Sequence, residues 1–276
     1  MGHGERVVGV TFECDHPAEA AGRPQVTDTI VPPGLTPAEI DTFIGSAMEQ
    51  GQELYTLDRS GMAALDPDLI VSQDLCRVCA LPSGDVAAAV ASLGCQAEVF
   101  SYDPMTLDGV LTEMAALDRL VRGVPDEPEP IAITGLRERL GAVRARVADR
   151  EPPAVLLLEW PDPPFTPGHW IPDLIEAAGG RPVLAHPGQR SEATTWDVVA
   201  DCGAEVLIVA PCGFDREAAE RQLVEVMARP EVGGLAAARS GRTHAIDADA
   251  LIVRPGPRLV DGVEALAELL HPSLSA

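Results

Sequence analysis

The chain contains no lysine and no asparagine, so all 20 of its basic residues are arginine. Without a lysine amine, neither a Walker-type phosphate loop nor a Schiff-base enzyme is available. The same two absences match the coding bias of a GC-rich genome, so they exclude chemistry without pointing to any. A Gly-x-Ser-x-Gly turn is missing, and no local motif joins a nucleophile, a histidine base and an orienting acid; the expectation is a protein that is not an enzyme. No apolar run reaches the roughly 20 residues that span a bilayer, so membrane insertion is not expected. The opening Met1-Gly-His-Gly-Glu-Arg6 lacks the basic segment and apolar stretch of a secretory signal, which as written implies the cytoplasm. Positive charge is scarce as well: 43 acidic residues against 20 arginines give a net charge of -23. Such a surface repels phosphate backbones and anionic headgroups, which argues against nucleic acid and membrane partners. Six cysteines are too few for a disulfide scaffold and in a reducing compartment are read as buried thiols, metal ligands or redox groups.

What is present is enough apolar material for a real core, 46% of 276 residues. Short aliphatic runs at Val7–Val10, Leu69–Ser72, Ala97–Ser101, Ala154–Glu159, Val206–Ala210 and His244–Ile246 predict strands. They are separated by helical patterns over Thr36–Gly51, Thr106–Val121, Arg216–Ala228 and Leu259–Leu270. Continuous apolar strands between helices predict an α/β fold with mostly parallel sheets covered on both faces. The Pro-rich acidic stretch Gly123–Pro130 breaks the pattern. After it Ile133, Leu136, Leu140, Val143 and Val147, spaced 3, 4, 3 and 4 apart, mark a one-sided amphipathic helix. The expected organisation is therefore two Rossmann-like α/β lobes, 1–125 and 153–276, joined by a linker and long helix over 126–152. Ligands of such proteins bind in the cleft between the halves.

Four segments carry a family resemblance. Val7-Val-Gly-Val-Thr-Phe-Glu-Cys-Asp-His-Pro17 and Leu65-Asp-Pro-Asp-Leu-Ile-Val71 lie in the first half. Glu159-Trp-Pro-Asp-Pro-Pro-Phe-Thr-Pro-Gly-His-Trp170 with Leu174-Ile-Glu-Ala-Ala-Gly-Gly180 opens the second, and Arg254-Pro-Gly-Pro-Arg258 precedes the last helix. In order and spacing the chain resembles the class III substrate-binding proteins of ABC importers, in particular the cobalamin-binding branch. The resemblance implies binding of cobalamin or a related corrinoid by a monomer that hands it to a transporter permease outside the cytoplasm, in the periplasm or at the cell surface. It also implies that the first lobe lacks an opening strand and helix, since the family's first turn corresponds to Gly2-His-Gly-Glu5. A haem or siderophore carrier on the same fold is the first alternative. The second is a cytosolic thiol or metal-cluster protein.

Cobalamin is large and mostly flat, with amide-bearing edges, so its site needs apolar or aromatic surface and a few polar donors. Aromatics are 4% of the chain, yet Trp160, Phe165 and Trp170 fall within eleven residues of one loop. The resemblance carries Phe165 over as a ligand contact; alternatively these rings cap the second-lobe core. Asp15 and His16 follow the Val7–Val10 run, where the family often has an aromatic facing the ligand. An imidazole there could stack on the corrin or approach the metal, or serve only as a turn histidine. His169 is a similar candidate. Arg258, like Arg254, flanks a rigid Pro-Gly-Pro turn and either meets ligand oxygens or pairs with nearby acids. Cys76-Arg-Val-Cys79 has the spacing of a redox pair or half a metal site, and Cys14 and Cys212 also follow predicted strands. A four-thiolate site for zinc or an iron-sulfur cluster is one reading; buried thiols or a Cys76–Cys79 disulfide are the other.

Overall fold

The computed structural model describes residues 2–73 and 97–274. It forms two compact units, Met1–Asp103 and Pro104–Ala276. In the first, Thr27–Thr29 (β1) pairs antiparallel with Tyr55–Leu57 (β2), and the helix Pro37–Glu49 (α1) lies between them in sequence. Thr36 opens α1 with a capping box: its hydroxyl accepts the Glu39 N–H at 3.3 Å, and the Glu39 carboxylate accepts the Thr36 N–H at 2.8 Å. Arg59–Leu65 (α2) is capped by Asp58, which accepts the Gly61 N–H at 2.9 Å. Leu69–Ser72 (β3) runs parallel to Glu98–Ser101 (β4). Met62 of α2 anchors the small core beneath them, against Val26, Leu57, Ile70, Ala97 and Val99.

The strand expected over Val7–Val10 does not form. Only Val10 pairs, in an isolated parallel bridge to Gln25, while Val7 and Val8 are 40% and 43% exposed. An apolar run signals a strand only if a partner hydrogen-bonds along its length, and here the partner segment meets it at one residue.

The second unit holds a four-stranded parallel sheet and a three-stranded antiparallel one. Its strands are Ala154–Leu158 (β5), Trp160–Pro161 (β6), Pro164–Thr166 (β7), Arg181–Pro182 (β8), Glu192–Ala193 (β9), Val206–Val209 (β10) and Thr243–Ala245 (β11). The parallel order is β11-β10-β5-β8 and the antiparallel order β6-β7-β9. Every residue of β5 and β10 is buried, as expected for central parallel strands covered on both faces. On one face Leu156, Leu158, Leu207 and Val209 pack against Val199, Val226, Val232 and Leu235. Those four come from Trp196–Ala200 (α6), Arg216–Met227 (α7), Pro230–Gly233 (α8) and the turn before Ala236–Ser240 (α9).

On the other face, Val155 approaches Gly180 together with Ile175 of Ile171–Ala177 (α5) and Leu270 of Arg258–Leu270 (α11) so closely that a β-carbon on Gly180 would lie 2.8–2.9 Å from all three. The amphipathic helix is present over Ile131–Val147 (α4), with Ile133, Leu140, Val143 and Val147 buried. It packs on α11, and Arg139 fastens the two by reaching Asp261 at 2.6 Å and Glu264 at 2.6 and 3.0 Å. Both helices flanking the Gly123–Pro130 connector, Leu107–Arg122 (α3) and α4, belong to this unit. No helix among the described residues is long and apolar enough to cross a membrane.

Candidate ligand-binding site

β5 and β10 run side by side from Val155↔Val206 to Leu158↔Val209, so the loops that follow them emerge together at the sheet's carboxyl edge. Open α/β sheets present ligand contacts at that edge. The β5 loop folds back at once as the β6–β7 hairpin, with Trp160 opposite Phe165 and Pro161 opposite Pro164. The other side of β7 pairs with β9, Phe165 with Ala193 and Thr166 with Glu192. The Trp160 indole N–H donates to the Asp162 carbonyl at 3.1 Å. Its ring meets Phe214 of the β10 loop edge to face, with centroids 5.7 Å apart. Phe165 is half-buried.

Glu159 joins these loops. Its N–H donates to the Phe165 carbonyl and its own carbonyl accepts the Cys212 N–H, both at 3.1 Å. One carboxylate oxygen, Oε2, accepts the Ser191 hydroxyl at 2.6 Å and the Gly168 N–H at 3.2 Å. Gly168 crosses the 190–191 backbone so tightly that a β-carbon would sit 2.1 Å from the Ser191 nitrogen. His169 follows in a left-handed conformation, φ 53°, and its carbonyl accepts the Gly188 N–H at 3.1 Å. The segment after β11 is tied in by Asp249 of the short helix Ala248–Leu251 (α10), which accepts the Gly213 N–H at 3.1 Å and pairs with Arg254 at 3.0 Å.

Trp160, Phe165, His169 and Cys212 are thus brought to one edge of one sheet. Trp170 is not: it is 5% exposed and its indole N–H donates to the Ile252 carbonyl at 2.8 Å, a core position rather than a surface one. Arg258 is the half-exposed first residue of α11. Cys14, Asp15 and His16 lie in the N-terminal unit, Asp15 and His16 exposed, and the Cys14 sulfur shares a hydrogen bond with the Thr11 hydroxyl at 3.2 Å. Cys76 and Cys79 lie outside the described residues. Among the described residues no group of three or more His, Cys, Asp or Glu side chains is placed to hold a metal ion.

Burial pushes the Cys202 thiol up, in keeping with its packing against the apolar cluster beneath β10. It also raises the Asp173 carboxyl, which accepts the Leu107 N–H at 2.8 Å, and lowers His244, where the Arg242 charge acts in the same direction. Sequence reasoning did not single out Phe214, Glu159 or Asp249. The signal for Phe214 was its place just after an apolar strand, the same signal that marked Cys212. Glu159 ends the predicted strand Ala154–Glu159 and opens the Glu159–Trp170 segment, but nothing local announces that its carboxylate spans two loops.

The sequence matches no protein-family model and no curated protein. The fold is that of several solved structures. The periplasmic vitamin B12 binding protein BtuF of Vibrio cholerae superposes with a TM-score of 0.70 at 21% identity, over 100% of this chain and 92% of that one. A periplasmic haem-binding protein of Pseudomonas aeruginosa gives 0.67 at 22% identity, over 96% and 85%. A possible iron-binding periplasmic solute-binding protein of Staphylococcus epidermidis gives 0.69 at 16% identity, over 98% and 92%. At these identities the likeness establishes the class III binding-protein fold.

Proposed function

We propose that this chain is the substrate-binding component of an ABC importer and that its cargo is cobalamin or a related corrinoid, delivered to a permease outside the cytoplasm. The observation that carries the reading is the gathering of Trp160, Phe165 and Phe214 at the carboxyl edge of a sheet in a chain with only 4% aromatic residues. Flat aromatic surface at that edge suits a flat macrocycle, and Glu159 holds its loops in register. The solved structures of the same fold include carriers of vitamin B12, haem and iron, so fold alone leaves the cargo open among them.

Charge favours the corrinoid. Haem brings two propionates, whereas the corrin rim is largely neutral amide. A chain of net charge -23 repels a dianion, and Arg254, one cation near this edge, is already paired with Asp249. His169 and Arg258 are the polar groups proposed to meet the cargo's edges. No bond-making chemistry is required. The described residues hold nothing that favours a thiol or metal-cluster protein.

The test is titration with cyanocobalamin and, separately, haemin, followed by absorbance and thermal unfolding. One cyanocobalamin per chain is expected, and at 100 times its dissociation constant it stabilises the fold by about 2.7 kcal/mol. Stabilisation by haemin alone would transfer the proposal to haem, and no response to either would reject it.

A further inference from the structure

The hairpin that presents Trp160 and Phe165 is held at its tip from outside. Asp162, in the turn between β6 and β7, uses both of its oxygen-bearing groups. Its carbonyl accepts the Trp160 indole N–H at 3.1 Å, and its carboxylate pairs with Arg229 at 2.9 Å. Arg229 sits between α7 and α8, and its guanidinium carbon lies 4.3 Å from the centroid of the Trp196 ring at the start of α6. The two charged side chains are 31% and 47% exposed, and an isolated pair that open to water is weak. The Trp196 face changes this: a planar guanidinium stacked on an indole is already oriented, so less conformational freedom is lost when it reaches Asp162.

We infer that Arg229 is a positioning residue for the site. It pins the Asp162 turn, and through that turn sets the indole that Phe214 meets edge to face and the Phe165 ring opposite it. Arg229 acts through Asp162 rather than on the cargo. The inference rests on the reading of Trp160 and Phe165 as cargo contacts. Its test therefore includes a measurement made without cargo.

The chain contains three tryptophans, so protein labelled with 5-fluorotryptophan gives three fluorine resonances, assignable with single Trp→Phe variants. In Arg229→Met, which keeps an apolar stem and removes the charge, the Trp160 resonance is expected to shift and broaden in cargo-free protein while that of Trp170 stays in place. Cyanocobalamin affinity should fall about 5- to 10-fold. Asp162→Asn should reproduce both effects, and Arg229→Lys, which pairs without stacking flat, should restore only part of the affinity.

A Trp160 resonance unmoved in both Arg229→Met and Asp162→Asn overturns the inference. So does a shift of Trp170 together with a large loss of melting temperature in both variants, since that is general loosening rather than positioning. If Trp160→Ala leaves cyanocobalamin affinity unchanged, the reading of Trp160 as a contact fails, and the fluorine spectra still decide whether Arg229 holds the turn.

Discussion

Trp160 and Phe214 leave from different strands of one sheet and meet with their rings 5.7 Å apart at 86°. Edge-to-face pairs of this kind contribute about 0.5–1.5 kcal/mol beyond the area they bury. The contact therefore couples the β5 and β10 loops while leaving one indole face uncommitted to Phe214.

Removing the neighbouring ring tests whether this aromatic group serves binding or folding. Phe165→Ala is expected to weaken cyanocobalamin binding by about 1–3 kcal/mol with little change in melting temperature. A large drop in melting temperature with unchanged affinity, read by calorimetry, would assign the ring to the core instead.

Gly168→Ala should be costly out of proportion to one methyl group. The added carbon would lie 2.1 Å from the Ser191 nitrogen and 2.5 Å from the Arg190 carbonyl carbon, and backbone cannot move aside as a side chain can. The expected destabilisation is about 1–3 kcal/mol by denaturant unfolding, with the Ser191–Glu159 bond disturbed. A neutral outcome would mean that the two segments pass farther apart than described.

In the N-terminal unit, Thr36→Ala removes one half of the α1 capping box and should cost about 1 kcal/mol. Amide exchange is the suitable measurement, because the loss should appear as faster exchange in the first turn of α1 and leave β5 and β10 unchanged.

Asp173 supplies a pH test. Burial raises its folded pKa, so the folded state holds this proton more tightly than the unfolded chain does. The resulting stability is present below the unfolded carboxylate value near 4 and is lost as pH rises through the folded value. Asp173→Asn keeps an acceptor for the Leu107 N–H but cannot titrate. Relative to this variant, the wild-type protein should gain stability as pH falls from 7 towards 4. Parallel unfolding curves for the two proteins across that range would refute the assignment.

Much of the scaffold was legible because its signals are local. Val206–Val209 and Ala154–Leu158 are continuous aliphatic runs, and a strand buried on both faces needs nothing else. Thr36 followed by Pro37 and Glu39 announces a helix start through bonds made within four residues. What local signals leave undetermined involves partners distant in sequence. Val7–Val10 has the composition of a strand but only one paired residue. The stretch from Trp160 to Trp170 reads as one loop, and the β6–β7 hairpin within it pairs only two residues on each side, too short a run for an alternating pattern to show. Trp170 shares a loop with Trp160, yet its indole is drawn inward by a carbonyl at Ile252 that no local pattern connects to it. The site's cohesion comes from Glu159, whose partners Gly168, Ser191 and Cys212 lie on three separate stretches of chain.

That cohesion makes the loops a matched set. Grafting the segment around Ser191 from another carrier would strand the Glu159 carboxylate, and lengthening it would force apart the crossing at Gly168. Diversification of this edge, in nature or by design, must then proceed by exchanging whole constellations of loops rather than single ones. A library that varies the β5, β8 and β10 loops jointly should yield folded members far more often than one that varies each alone.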